Sequence, residues 1–401
     1  MSMRKNIVIV GGGPAGTIAA NLLAKKLKKE EASITVIDKT GKHVYEPGLL
    51  YVTLGDQDPK GIVKDEKDIL NKKVRLIVNE ATKIDTKKKM VEVKSGDRFN
   101  YDYLIIATGA RLCPEEVPGL KEGAYHFYTI EEAIRLKKAL GNFEKGKIEY
   151  VLVFSDHRVH YGNFEKGKIV IGVGGVPYKC PPAPAEITCF LDYKLRKRKI
   201  RERVDIHYLS PLPRVFPIES IDPIVKEIFD KEEIKYTTFF NVESVDPVRK
   251  EVHSLEGETI GYDLLILIPP HRGSKVIEDS GLGDRGGWVP TDRYTLKVKG
   301  YDDVYSIGDA TDLPISKSGA AAHYEAKVVA NNIASEIKGI ESHDKYNGKV
   351  ICMCDTGNKA IYLNFDYDHP PKPGHPRWIY RLLKLAFNKL YWHTVAKARF
   401  L

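Results

Sequence analysis

The amino-acid sequence predicts an α/β fold of two Rossmann-like dinucleotide-binding domains, followed by a C-terminal membrane-associating region. Three observations carry that expectation. A short apolar run at residues 6–10 leads into Gly11-Gly12-Gly13-Pro14-Ala15-Gly16 and then into an apolar pattern of helical period. Two further apolar runs of strand type, at 103–107 and 264–268, match in character and stand far apart in the chain. After Asp368 no acidic residue occurs, while Lys372, Arg377, Arg381, Lys384, Lys389, Lys397 and Arg399 follow.

The elements follow in order. Residues 14–29 read as a helix with Ala19, Ala20, Leu22, Leu23 and Leu27 inward, and 33–38 as the next strand, which completes a βαβ unit. Further strands are expected at 76–78, 90–93 and 103–107, and the first segment closes near residue 115. Residues 116–289 read as an inserted second Rossmann-like domain, with a helix at 131–140 and strands at 168–172, 204–209 and 264–268. The chain then returns to the first domain over 290–339, where a strand at 303–307 precedes Gly308-Asp309. Residues 340–401 form a C-terminal region of their own. The octapeptide Gly141-Asn142-Phe143-Glu144-Lys145-Gly146-Lys147-Ile148 recurs at 162–169, which reads as a short tandem duplication lengthening a surface hairpin.

Composition narrows the class. A chain of 401 residues with 42% apolar residues is a folded protein of two or three domains. Its single glutamine, Gln57, beside abundant Lys and Glu, resembles the bias of proteins from hot environments. The net charge of +9 is concentrated in the tail, which favours a local contact over nucleic-acid binding. Five cysteines are too few for a secreted disulfide scaffold, so a reducing compartment is expected. No signal peptide precedes the glycine motif, and no run reaches the length of a membrane span. The expected location is a cytoplasmically made protein held peripherally on a membrane.

The glycine motif carries the first chemistry. Gly11, Gly13 and Gly16 let a backbone approach a pyrophosphate at a helix N-terminus, with Pro14 and Ala15 in the first turn. Asp38, followed by Lys39, ends the next strand where a carboxylate takes ribose hydroxyls. At the second domain, residues 171–184 read Ile-Gly-Val-Gly-Gly-Val-Pro-Tyr-Lys-Cys-Pro-Pro-Ala-Pro. Four prolines within eight positions are expected to forbid an immediate helix, leaving no helix N-terminus for a second pyrophosphate. A cysteine, Cys180, stands there instead. No metal-ligand pattern is present.

Several segments then resemble a known family. Ala107-Thr108-Gly109 and Gly308-Asp309 look like the second and third flavin segments of glutathione-reductase-like flavoproteins. Cys180 with Glu186, Cys352-Met353-Cys354-Asp355-Thr356-Gly357, the Tyr45-Glu46-Pro47 loop and Lys317-Ser318-Gly319 resemble the sulfide:quinone oxidoreductases and their relatives, the flavoprotein subunits of flavocytochrome c sulfide dehydrogenase. The likeness spans essentially the whole chain. It implies FAD as cofactor, held by the glycines, Asp38, Lys39, Pro47, the 107–109 turn, Gly308, Asp309, Lys317 and Gly319.

The same likeness implies sulfide as donor and a membrane quinone as acceptor, with Cys180 and Cys352 as a redox pair. Sulfide attacks one sulfur of their disulfide, which leaves a persulfide and a thiolate, and FAD takes up the two electrons. Glu186 is a candidate base for sulfide, and Lys317 a positive charge near the reduced flavin. His126, His207 and His323 are candidate proton relays to quinone. Cys354 is the rival to Cys352; strand alternation is expected to point the two to opposite faces, so that one meets Cys180. Some relatives carry a flavin-linking cysteine where this chain has Tyr128 or Glu46, so FAD is expected to be held without a covalent bond. Cys113 and Cys189 read as structural.

The tail, residues 377–401, is expected to lie on an anionic bilayer, its Trp378, Ile379, Leu382, Leu383, Leu385, Ala386, Leu390, Tyr391 and Trp392 inserted among basic residues. A homo-oligomer is compatible with all of this. The competing readings are the flavocytochrome-type dehydrogenase, an NADH:quinone oxidoreductase, and a non-enzymatic flavin redox sensor.

Overall fold

The computed structural model describes residues 4–144, 146–151, 159–163, 166–342 and 344–399. Its first sheet is built from the strands β1 (Lys5–Val10), β2 (Ala32–Asp38), β3 (Val74–Val78) and β4 (Tyr103–Ile106). A fifth strand returns from far along the chain. The second sheet uses β5 (Gly167–Val173), β6 (Val204–Leu209), β7 (Lys235–Thr237) and β8 (Leu264–Ile268), and β9 (Val304–Ser306) is the strand that returns to the first. The orders are β9-β4-β1-β2-β3 and β7-β6-β5-β8, and every pairing within them is parallel.

Parallel strands are covered on both faces, which is why β1, β4 and β8 read as unbroken apolar runs. Val8, Ile9, Ile105, Ile106 and all of β8 are buried. Helix α1 (Pro14–Lys26) shows the same saturation, with Ala15 through Ala24 buried. It ends three residues before the expected bound, at Lys26, and packs along α3 (Gly319–Lys338), one of the helices after β9. Between them in sequence lies α2 (Ala183–Lys197), which follows β5.

Two identical peptides fold differently. In the first copy of the octapeptide, Gly141 to Glu144 finish the helix Ile130–Glu144; in the second, Gly162 and Asn163 belong to a strand, Val159–Asn163, paired antiparallel with Lys147–Val151. The expected hairpin is present; the copies differ in structure over Gly-Asn, while the closing Lys-Ile lies in a strand in both. Lys145, Phe164 and Glu165 lie outside the described residues.

The C-terminal region is a hairpin, β10 (Val350–Asp355) with β11 (Ala360–Phe365), then helix α4 (Trp378–Leu390). Two expectations fail here. Cys352 and Cys354 are two positions apart in one strand, opposite Leu363 and Ile361, so they share a face; period-two geometry cannot point them apart. The tail is also not one inserted surface. Tyr391, Trp392, Val395 and Ala396 are buried in the main core, whereas Trp378, Leu382, Leu383, Phe387 and Leu390 are exposed. Among the described residues no helix is long and apolar enough to cross a membrane.

Candidate active site between two strand-to-helix junctions

The first junction gathers at the C-terminal ends of β1, β4 and β9. Gly11 has φ +107°, and a Cβ there would fall 2.2 Å from the Ala107 carbonyl oxygen. A Cβ on Gly16 would lie 1.9 Å from the Gly11 carbonyl oxygen, so strand and helix approach as closely as backbones can. By contrast Gly13 and Gly109 face open space. Pro14 opens α1 and Ala15 is buried behind it. Asp38 is held in place, Oδ2 accepting from the Gly12 N–H at 2.9 Å and Oδ1 from Gly41 at 2.7 Å. Lys39 is exposed, as is Pro47, which caps the helix Gly48–Thr53.

The other dinucleotide segments meet this loop. Ala107 donates to Val10 O, and Thr108 Oγ1 accepts from Ser274 Oγ at 2.8 Å. Gly308, at φ +71°, would bring a Cβ to 3.1 Å from Ala15 Cβ, and its N–H donates to the buried Glu325 carboxyl at 2.5 Å. Burial pushes Asp309 up to about 6, against the pull of Lys179 and Lys317. Lys317 donates to the carbonyls of Asp309 (3.3 Å) and Thr311 (2.5 Å), with its ammonium 3.9 Å from the Trp288 ring centre. Gly319 begins α3 behind the Ser318 cap.

The second junction differs. Residues 174–182 separate β5 from α2, and the helix then starts at Ala183 with Pro182 as N-cap and Pro184 in the first turn. The prolines delay the helix; they do not forbid it, because first-turn N–H groups have no partner within the helix and proline lacks one to offer. Cys180 takes φ +54°, donates its N–H to the Lys317 carbonyl at 2.6 Å, and accepts from Ala183 at 2.8 Å. Burial pushes its thiol up to about 11, opposed chiefly by Lys384.

Cys352 comes to the same place from β10. Burial first, then the neighbouring Cys180 sulfur, push it up to about 12. Cys354, on the same face, is 3% exposed and its nearest influences after burial are Cys189 and Cys352. All five cysteines are free thiols; Cys113, beside Arg111 and Glu116, stands apart from this cluster. Tyr128 is buried against the cluster, its hydroxyl donating to the Lys179 carbonyl at 2.9 Å.

Glu186, in the first turn of α2, is a junction between elements. Its Oε1 accepts from the Asp355 N–H at 2.9 Å and from the Lys384 ammonium. Asp355 in turn takes Arg381 Nε at 3.3 Å on both oxygens and the Tyr51 hydroxyl at 3.1 Å. Arg381 and Lys384, expected among the bases on the bilayer, both point inward. Burial lowers Lys384 to about 8. Lys179, adjacent to Cys180 in the chain, pairs with Glu46 at 2.6 Å. Of the histidines, His126 is buried within the influence of Lys179. The charges acting on His207 are Lys168, Asp205 and Lys235, and on His323 Lys327, none of them from the cluster.

Position in sequence could have flagged Lys179. Nothing local marks Lys384 or Arg381 as site residues, since each acquires its role from a partner far away in the chain. Among the described residues no group of side chains is arranged to hold a metal ion.

The family profile described as pyridine nucleotide-disulphide oxidoreductase matches residues 5–330. The chain belongs to that family. The chain is also similar to the mitochondrial sulfide:quinone oxidoreductase of Dictyostelium discoideum, 28% identical over 98% of this chain and 86% of that protein. A type II NADH:quinone oxidoreductase of Staphylococcus saprophyticus is 25% identical over 84% of this chain and 83% of its own. Among solved structures, the sulfide:quinone oxidoreductase of Aquifex aeolicus superposes with a TM-score of 0.85 at 23% identity, over 98% of this chain and 92% of that one. This family member therefore shares its fold with a sulfide oxidase along nearly its full length.

Proposed function

We propose that this chain is a sulfide:quinone oxidoreductase that holds FAD at the first junction and works sulfur at the second. The observation that carries the reading is the meeting of Cys180 and Cys352, from segments far apart in sequence, beside Lys317 and Asp309 of the dinucleotide site. Likeness to named sulfide:quinone oxidoreductases supports it.

The first junction suits FAD: Gly11 and Gly16 leave no room for a side chain, Gly13 and Gly109 open outward, and the α1 N-terminus is free of acidic residues. Asp38 is positioned for ribose hydroxyls, and Lys317 for charge neutralisation. FAD, when bound, supplies two-electron acceptance from sulfur and two-electron donation to quinone. In the chain's own chemistry, hydrosulfide bonds to one sulfur of a Cys180–Cys352 disulfide, the S–S bond breaks, and the other sulfur leaves as thiolate. Lys384 is the cation that favours the Cys180 thiolate. Glu186, bound to Lys384 and the Asp355 N–H, orients that cation and is a positioning residue in this scheme, not a free base.

Against an NADH donor stands the second junction, whose helix start is filled by Pro182, Pro184 and the Glu186 carboxylate. The exposed α4 face of Trp378, Leu382, Leu383, Phe387 and Leu390 supports peripheral attachment to a bilayer, where quinone resides. With Tyr128 and Glu46 at the positions of linking cysteines, the flavin is expected to leave the denatured protein. The deciding experiment follows flavin absorbance anaerobically: sulfide bleaches it rapidly and NADH does not. Rapid bleaching by micromolar NADH, with sulfide inert, would sink the reading.

A further inference from the structure

The sulfur chemistry leaves one buried acid unused. Glu325 is 1% exposed and sits on α3 among the buried Ala321, Ala322 and Ala326. It reaches the first junction through backbone, its Oε2 accepting the Gly308 N–H at 2.5 Å. Gly308 opens the turn Gly308–Ala310 and stands against the first turn of α1, where a Cβ on it would come within 3.1 Å of Ala15 Cβ. A charge of opposite sign holds the other side of that turn. The Lys317 ammonium donates to the Asp309 carbonyl at 3.3 Å and to the Thr311 carbonyl at 2.5 Å. With an acceptor on its N–H and a donor on its carbonyls, the turn that carries Asp309 is fixed at both ends.

The acid is poorly placed to carry a charge. Facing it are Asp309 on the turn, Lys317 before α3, and Tyr346 and Tyr367 from the chain after α3. Tyr346 donates its hydroxyl proton to the Lys349 carbonyl and Tyr367 donates to the Arg293 carbonyl, so neither proton serves a carboxylate. Lys317 is shared with Asp309. Burial pushes the Glu325 carboxyl up to about 8, with Asp309 in the same direction and the Gly308 N–H and Lys317 opposing. Asp309, at about 6, ionises first. At neutral pH the pair therefore holds one charge, and the protonated Glu325 still accepts the Gly308 N–H through its other oxygen.

We infer that Glu325 is a positioning residue of the flavin site: its neutral carboxyl fixes the Gly308–Ala310 turn for FAD, and release of its proton to solvent loosens FAD. This rests on the flavoprotein reading above, and it requires no contact between Glu325 and the cofactor. The pyrophosphate of FAD is an anion and its place is the α1 N-terminus, against which Gly308 packs. A second buried negative charge beside Asp309 disfavours that anion, and the low local dielectric leaves the repulsion unscreened.

The test uses full-length apoprotein titrated with FAD by fluorescence quenching between about pH 6 and pH 9.5. Wild-type affinity should hold to about pH 7 and fall roughly tenfold by pH 9, as Glu325 loses its proton. Glu325→Gln keeps an oxygen for the Gly308 N–H and has no proton to lose. It should bind within about threefold of wild type at pH 7 and show no such fall. Glu325→Leu leaves the Gly308 N–H without its acceptor and should bind about tenfold more weakly at pH 7. A pH profile common to wild type and E325Q would overturn the inference, as would E325L affinity equal to wild type at pH 7. So would an E325Q as weak as E325L, since a neutral side chain suffices in this scheme. Should E325L fail to fold, the wild-type and E325Q profiles decide between them. Wild-type apoprotein that takes up no FAD at any pH would instead sink the flavoprotein reading itself.

Discussion

The two places where a central parallel strand gives way to a helix make an instructive pair. From β1 the chain reaches α1 through residues 11–13; from β5 it reaches α2 through residues 174–182. The short link presents bare backbone and a helix N-terminus without side-chain obstruction, which is what a pyrophosphate needs. The long link spends its extra residues on a cysteine at positive φ, and the helix behind it begins with prolines and a carboxylate. A first-turn acid, Glu186, disfavours a second phosphate at that helix start. One unit of architecture thus offers bare backbone at one junction and a buried cysteine at the other.

A first test concerns the conformational demands of the two links. Gly11→Ala combines a positive φ with a Cβ 2.2 Å from backbone. The backbone strain alone is about 1–3 kcal/mol, so flavin per polypeptide should fall roughly tenfold or more. Gly174→Ala meets only the flexible end of Leu120 at 2.9 Å and the Ile268 carbonyl at 3.1 Å, and should keep its flavin. Equal flavin content in the two purified variants would erase the distinction.

Next come the thiols. Cys180→Ser and Cys352→Ser should retain flavin yet lose sulfide-dependent bleaching by roughly two orders of magnitude or more, because half a disulfide cannot exchange. Cys189→Ser should bleach normally. Cys354→Ser is the sharper test of the shared strand face: bleaching should persist, while stability drops by about 1–2 kcal/mol for a hydroxyl in a thiol's buried place. A dead Cys354→Ser beside an active Cys352→Ser, in stopped-flow absorbance, would transfer the role to Cys354.

A third effect is kinetic. Burial holds the Cys180 thiol near 11, against an ordinary value of 9.0. At pH 8 the reduced native protein should therefore react with iodoacetamide at Cys180 roughly a hundredfold more slowly than the same cysteine in the unfolded chain. Cys352, pushed to about 12, should be slower still. Rates rise with pH, since more thiolate forms as each value is approached. Peptide mass spectrometry after timed quenching reads both; labelling of Cys180 as fast as in urea would mean the second junction is open to water.

A last set of effects concerns α4, which closes over the second junction. Its inner face carries Arg381 and Lys384 to Asp355 and Glu186, and its outer face is apolar. Leu383→Asp should weaken co-sedimentation with anionic vesicles about tenfold, in keeping with roughly 1.5–3 kcal/mol for a buried leucine. Lys389→Ala should cost only about 1 kcal/mol, and salt should loosen binding modestly, since two of the tail's bases are engaged inside. Release by salt alone, with L383D unaffected, would reverse that ranking.

Much of this was legible in the linear chain because its physics is local. Gly11 and Gly16 between an apolar strand and an apolar helix determine a close backbone approach whatever the rest of the protein does. The strands β4 and β8 announce themselves as unbroken apolar runs for the same reason. What tertiary structure alone decided is which side of an ambiguous element faces which neighbour. Nothing in Arg381, Lys384 or Tyr391 distinguishes a base or aromatic bound for the surface from one bound for the interior. Asp355 and Glu186 draw in the first two, and the Tyr391 hydroxyl lies 2.8 Å from His43 Nε2. The octapeptide makes the point without chemistry, since Gly-Asn ends inside a helix in one copy and a strand in the other. Local propensity leaves such segments within a kilocalorie or so of either state, and long-range packing, which the chain's order does not reveal, supplies the difference.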